Sequence, residues 1–325
     1  MPMLYHSKTA ELFAVLTNWK ILLSHLLNNI YAGLNYMGLY LLPISLFVMR
    51  NRVTLNKSRL SGVFISSIIL LVIIDGLRGI FGLTYLMPLV NDDMLFKSGL
   101  GPLRLRDIEI LQLNLPILPE SFWWIVTILT LAGTAILLTV FATFYLQKTS
   151  AISKIKNNQI TGIFFLFCAV IYLLPLIPIH FHDRYAIPTL AFFAAALLAF
   201  SGKIRLADNK LVLYFAIFLL ATFAIFSITS TKDYLSWNRA RWLALQDLMN
   251  LKINPKDIDG GFEFNGWYLY DPHYQATPQK SRWWVKNDDY LIASQPIPGY
   301  KLFKEYSYPH YLPSYNGKIL VLKKI

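Results

Sequence analysis

Apolar residues in this chain come in blocks of about 20, separated by short polar or charged segments. Six blocks stand out, at residues 31–49, 61–83, 122–146, 160–180, 185–200 and 211–230. A helix needs about 20 residues to cross ~30 Å of hydrocarbon. Lipid offers no partner for a free backbone N–H or C=O, so each block predicts a transmembrane helix. The stretch Thr9–Ile30 has apolar residues at helical spacing but is interrupted by Lys20, His25, Asn28 and Asn29. That pattern predicts an interfacial amphipathic helix rather than a span. After residue 230 the blocks stop. SWNRARWLALQDLMNL at 236–251 predicts an amphipathic helix with Ser236 as N-cap, and Gly260–Gly261 predicts a turn or bulge beside a strand. Runs at 290–294, 300–306 and 318–324 alternate as strands do.

The fold class that follows is an α-helical integral membrane protein of about six transmembrane helices with a C-terminal extracytoplasmic α/β or α+β domain. Residues 1–30 form the interfacial segment, 31–230 the transmembrane domain with an outer loop at 84–121, and 231–325 the soluble domain. Composition agrees. Hydrophobic residues make up 55% of the chain and charged residues 15%, against roughly 25% charged in soluble proteins.

Charge sets the orientation. Segments 50–60, 147–159 and 202–210 hold ten of the 30 Lys and Arg residues with a single acid, Asp208. Short basic loops stay in the cytoplasm, which turns the alternate loops and the C-terminal domain outward, in a multi-pass protein of the plasma (inner) membrane. Topology thus accounts for much of the formal charge of +12, and nucleic acid is not among the expected partners. Cys168, the single cysteine, lies inside an apolar block and forms neither an intrachain disulfide nor a thiolate metal site. By the same charge rule residues 1–30 start outside with no signal peptide before them. The expectation is therefore the C-terminal half of a larger transporter or enzyme, or one part of a split system.

Candidate chemistry gathers on the outer side. The loop 84–121 carries Asp92, Asp93, Lys97, Arg104, Arg106 and Asp107, and Trp123–Trp124 mark the return to the membrane. Asp75 and Arg78 share a helical face inside the second block. They form either a structural ion pair or an arginine that reaches a lipid phosphate. His180, His182, Asp183 and Arg184 crowd a short outer connection. Its histidines and aspartate raise a metal site against a plain interfacial anchor, and Arg184 suits a phosphate. In the tail, Asp259, Glu263 and Asn265 are placed on a strand within reach of an acceptor, and tryptophans such as Trp267 offer faces for sugar stacking or for a core.

The run HDRYAIPTLAFFAAALLAF resembles the RY-x-x-P helix near the C-terminal end of GT-C-type, polyprenol-dependent glycosyltransferases. GLGPLRLRDIEILQLNLPILP followed by FWW is similar to bacterial family-39 members, the dolichyl-phosphate-mannose-protein mannosyltransferase-like group. DYLSWNRARWLALQDLMNLKI and IDGGFEFNGW are similar to the extracytoplasmic domain of that group. The resemblance covers most of the chain. It implies transfer of a sugar, with inversion, from a polyprenyl-phosphate-linked donor to a glycan, lipid or protein acceptor at the outer membrane face. It also implies a catalytic acid in a first outer loop, and here the first thirty residues hold only Glu11.

Asp92 and Asp93 are the stand-ins for that acid. Arg184, Arg78, Lys97 and Arg104 are the lipid-phosphate contacts, and His182, Glu263, Asn265 and Trp267 the acceptor or sugar contacts. No cofactor is implied, and participation of a divalent cation stays open. The competing reading is a non-catalytic membrane partner that holds lipid-linked substrate for a separate transferase. A transporter would be expected to show paired internal repeats, and none is evident.

Overall fold

The computed structural model describes residues 8–52, 57–81, 119–149, 157–178, 186–201, 210–275 and 283–325. They divide into two compact units, the second formed by residues from Ala224 to Ile325.

The first unit is helical. Its helices are α1 (Lys8–Thr17), α2 (Trp19–Arg52), α3 (Lys57–Ile80), α4 (Glu120–Thr149), α5 (Asn157–Leu173) and α6 (Ala186–Ser201), and it takes the first part of α7 (Lys210–Asn250). Among the described residues, four helices are long and apolar enough to cross a membrane: Trp19–Met49, Ser58–Ile80, Ser121–Leu146 and Lys210–Asn250. This revises the expected six. The fourth and fifth apolar blocks are helical, but they give α5 and α6, of 17 and 16 residues. At 1.5 Å per residue each covers only about 25 Å. A turn at 174–178, carrying Pro175 and Pro178, follows α5.

The break between the interfacial segment and the first span also moves. It falls at Asn18 rather than residue 30. The Asn18 side chain accepts from the backbone N–H of Lys20 (3.1 Å) and Ile21 (3.4 Å) and so caps α2. From there α2 runs unbroken. Asn29 does not interrupt it, because its side-chain amide is buried and donates to the Ile177 carbonyl at 2.7 Å.

Helices α2 and α4 meet through small residues. A Cβ at Gly38 would collide with the backbone of Thr134, and one at Gly133 would collide with the Gly38 carbonyl. This close approach lets the Thr134 hydroxyl donate to the Asn35 side chain at 2.8 Å. Around it Tyr36, Met37, Leu41, Leu137, Val140 and Leu197 form the core. By contrast Ile65, Ile69, Val72 and Ile73 on α3 are exposed, as lipid-facing side chains are. Gly38→Val is expected to overpack the α2–α4 contact and cost about 1–3 kcal/mol. A lower thermal transition of the detergent-solubilised chain would report it, and an unchanged transition would contradict the contact.

The second unit packs the later part of α7 on a four-stranded sheet of order β1-β2-β4-β3. Its strands are β1 (Ile258–Asp259), β2 (Tyr290–Ala293), β3 (Tyr300–Tyr311) and β4 (Ser314–Lys324). β1 pairs parallel with β2, and the remaining pairs are antiparallel. All three expected strands are present, and β3 and β4 extend further than expected into a long hairpin. Alternation puts Tyr306, Tyr308, Ile319 and Val321 on the face that meets Trp237, Ala244, Leu245 and Leu248 of α7. The other face carries Leu291, Ala293, Leu320 and Leu322.

Two expectations for this unit are overturned. Ser236 is not an N-cap: α7 passes through it, since nothing in STKDYLSW breaks a helix. Glu263 and Asn265 stand on a short helix, α8 (Phe262–Tyr268), not on a strand.

Several groups of the sheet hold protons more tightly than the unfolded chain does. Burial, and then a hydrogen bond to Asp288, pushes the Tyr300 phenol well above its ordinary value. Burial, followed by Asp247, does the same for Tyr306. Hydrogen bonds to Asp247 and Asp288 raise Lys304 and Lys324 respectively. A raised folded-state pKa contributes stability that is present below the unfolded value, about 10 for these side chains, and lost as pH rises through the folded value. The unit is therefore expected to lose stability above about pH 10. Thermal transitions read by tryptophan fluorescence from pH 8 to 11 check this, and a flat profile would refute it.

Candidate functional site

In the first unit, polar groups of α2 and α3 converge on one arginine. Arg78 lies two residues before the end of α3 and is 1% exposed. Its Nη1 donates to Asp75 Oδ1 at 2.8 Å, and its Nη2 donates to Asn28 Oδ1 at 3.1 Å. Its guanidinium carbon stands 4.1 Å from the centre of the Tyr31 ring. One turn of α3 sets Asp75 and Arg78 side by side, and α2 supplies the other two groups.

A charged side chain inside a span is costly and is retained where it is paired or functional. Here the arginine is paired, enclosed and fixed from two sides. The carboxylate is different, because the Asp75 side chain is 54% exposed. It sits five residues from the end of α3, about 7.5 Å along the axis. Arg78 thus fits the ion-pair reading, and the open member of the pair is the acid.

The second unit carries a polar and aromatic group around α8. Asp259 and Asn265 are both buried. Asn265 donates to Asp259 Oδ1 at 2.8 Å and accepts from the Gly260 N–H at 3.0 Å, while the Gly261 N–H reaches Asp259 at 3.2 Å. These groups hold the Gly260–Gly261 turn together. Gly261 has φ +89°, a conformation glycine adopts without strain. Glu263 is partly open and accepts from Arg241 Nη1 at 2.6 Å.

Trp267 is 81% exposed. Near it in sequence, the Phe262 ring meets those of Trp283 and Trp284 at 5.5 and 6.0 Å, and Tyr270 meets Trp284 at 5.4 Å. Trp284 has φ +62°, which is rare for a bulky side chain and is found where surrounding contacts impose it.

Of the residues singled out from sequence, Asp92, Asp93, Lys97, Arg104, His182 and Arg184 lie outside the described residues, as do His180 and Asp183. Arg78 is brought to Asp75 as their spacing suggested. Asn265 is committed to the turn, whereas Glu263 and Trp267 reach the surface. Arg241 was missed. Its one sequence signal is a flank of tryptophans at −4 and +1, and its guanidinium lies 4.6 Å from the Trp237 ring centre and 5.8 Å from that of Trp242. No group of three potential metal ligands occurs among the described residues. Comparison with protein-family models, with curated proteins and with solved structures gives no match for this chain.

Proposed function

We propose that this chain is a membrane glycosyltransferase, or the C-terminal half of one, acting at the outer face of the plasma membrane. It moves a sugar from a polyprenyl-phosphate donor to an acceptor hydroxyl. The observation that carries this reading is the half-open carboxylate of Asp75 near the end of α3, oriented by an enclosed arginine. An acid near the end of a membrane-length helix is the part of the chemistry that the resemblance calls for.

In this reading Asp75 accepts the proton of the acceptor hydroxyl as that oxygen attacks the anomeric carbon. The bond from that carbon to the phosphate oxygen breaks on the opposite side, with inversion, and polyprenyl phosphate leaves. Arg78 acts as a positioning residue for Asp75. Holding the phosphate falls to Lys97, Arg104 and Arg184, because cations there offset the charge that the leaving group gains. The basic segments 50–60, 147–159 and 202–210 support an outward second unit, and its exposed Trp267 offers a face for a sugar ring.

The test is transfer of radiolabelled sugar from polyprenyl-phosphate donors by the purified full chain in proteoliposomes. Labelled acceptor with stoichiometric polyprenyl phosphate supports the transferase. Saturable donor binding without turnover, in a well-folded preparation, would replace it with the second reading, a partner that presents lipid-linked substrate to another chain.

A further inference from the structure

We infer that Arg241 is the anchor of an oxyanion-binding site in the second unit, one that takes a sugar bearing a carboxylate or a phosphate. The inference stands apart from the transfer reaction and rests on the unit's own geometry. The Arg241 side chain is 5% exposed. Burying a guanidinium costs several kcal/mol unless its donors are satisfied. One of them is, through the 2.6 Å bond from Nη1 to Glu263. Nε and Nη2 are buried and have no partner among the described residues.

The position of those two nitrogens selects the ligand. Nε and Nη2 lie on one edge of the guanidinium, and their parallel N–H groups match two oxygens of a carboxylate or phosphate. Trp237 and Trp242 lie near the cation and attract it through their ring faces. Those contacts use no N–H, so the in-plane edge is left for an acceptor. Glu263 draws Nη1 to the far end of the fork.

Gly261 leaves room for Nη1, the end of the group that Glu263 holds. A Cβ there would stand 3.3 Å from Nη1, and φ +89° disfavours any side chain. Recognition of the sugar is assigned to Phe262 and Trp267, exposed aromatic residues of α8, the helix that directly follows this turn in sequence. Because Nε and Nη2 are enclosed, entry requires a side-chain movement at the site. Rotamer changes of this size are common on binding. Ordered water would satisfy the same donors, and it is the alternative that the test must separate.

The full chain in detergent is titrated at constant ionic strength with glucuronate, glucose 1-phosphate, inorganic phosphate and neutral glucose. Binding is read by tryptophan fluorescence and by calorimetry. The expected result is saturable binding of glucuronate or glucose 1-phosphate, at least about tenfold tighter than of glucose. Which of the two binds more tightly assigns the oxyanion, and phosphate binding as well as the sugars removes the saccharide part of the proposal. Arg241→Lys keeps the charge but loses the fork, and is expected to weaken binding by about tenfold or more. Glu263→Gln removes a competing carboxylate at the surface and is expected to tighten binding. No saturable response from the wild-type chain to any of the anions would overturn the site and leave water as the partner. So would equal affinity in a folded Arg241→Lys variant.

Discussion

Asp75→Asn is expected to lower sugar transfer by about 100-fold or more, the ordinary contribution of a positioned general base. Asparagine is nearly isosteric with aspartate, and its Oδ1 can still accept from Arg78 Nη1, where the aspartate makes its 2.8 Å bond. What it loses is the ability to take a proton. It also leaves the Arg78 charge without its counter-ion in an enclosed position, so some stability is lost with the activity. The two effects separate when rates are expressed per folded molecule. Arg78 keeps its hydrogen bond to Asn28 and its place over Tyr31, which holds the local arrangement. Glutamate at the same position retains the acid but extends it by a methylene, so Asp75→Glu is expected to recover part of the rate.

The second large effect is structural. Asp233→Ala is expected to destabilise the second unit by about 3 kcal/mol, enough to lower its thermal transition by more than about 10 °C. Asp233 lies on α7 and is fully buried. Its carboxylate accepts from the backbone N–H of Tyr311 at 2.7 Å and of Leu312 at 3.0 Å. It therefore joins the helix to the turn of the β3–β4 hairpin. Nδ1 of the equally buried His310 stands 3.5 Å away and is held at 2.7 Å by the Pro313 carbonyl. Alanine leaves both amides without that partner, and a buried donor left unsatisfied costs its full desolvation penalty. Asp233→Asn keeps one acceptor and is expected to lose about half as much. Fluorescence-detected unfolding of the full chain distinguishes these outcomes. An alanine variant that melts with the wild type would mean that the carboxylate does not tie helix to hairpin.

How much of this could be read from sequence depended on whether the deciding contact was local. The apolar blocks became helices, because nothing but an internally bonded backbone suits so continuous an apolar run. Their ends were less legible. Asn28 and Asn29 look like interruptions until Arg78 and the Ile177 carbonyl, far along the chain, are seen to satisfy them. Ser236 looks like a cap because polar residues precede it, yet no glycine or proline stops the helix there.

The FEF run after Gly261 alternates as a strand does, and in a segment as short as α8 periodicity cannot separate the two forms. The Asp75–Arg78 pair was visible because its members are three residues apart on one helix. That Arg78 is enclosed while Asp75 stays open depends on α2, and no local pattern carries it. Arg241 shows the same limit more sharply, since its relation to Glu263 spans 22 residues and a turn.

The most direct test of the central claim is a side-by-side transfer assay of the wild-type chain and Asp75→Asn, reconstituted with a radiolabelled polyprenyl-phosphate sugar and normalised to folded protein. Labelled acceptor is expected from the wild type and, from the variant, a rate lower by about 100-fold or more, with donor binding retained. Equal rates from the two proteins would remove Asp75 from the chemistry, and a folded wild-type chain that binds donor without ever turning it over would contradict the transferase itself.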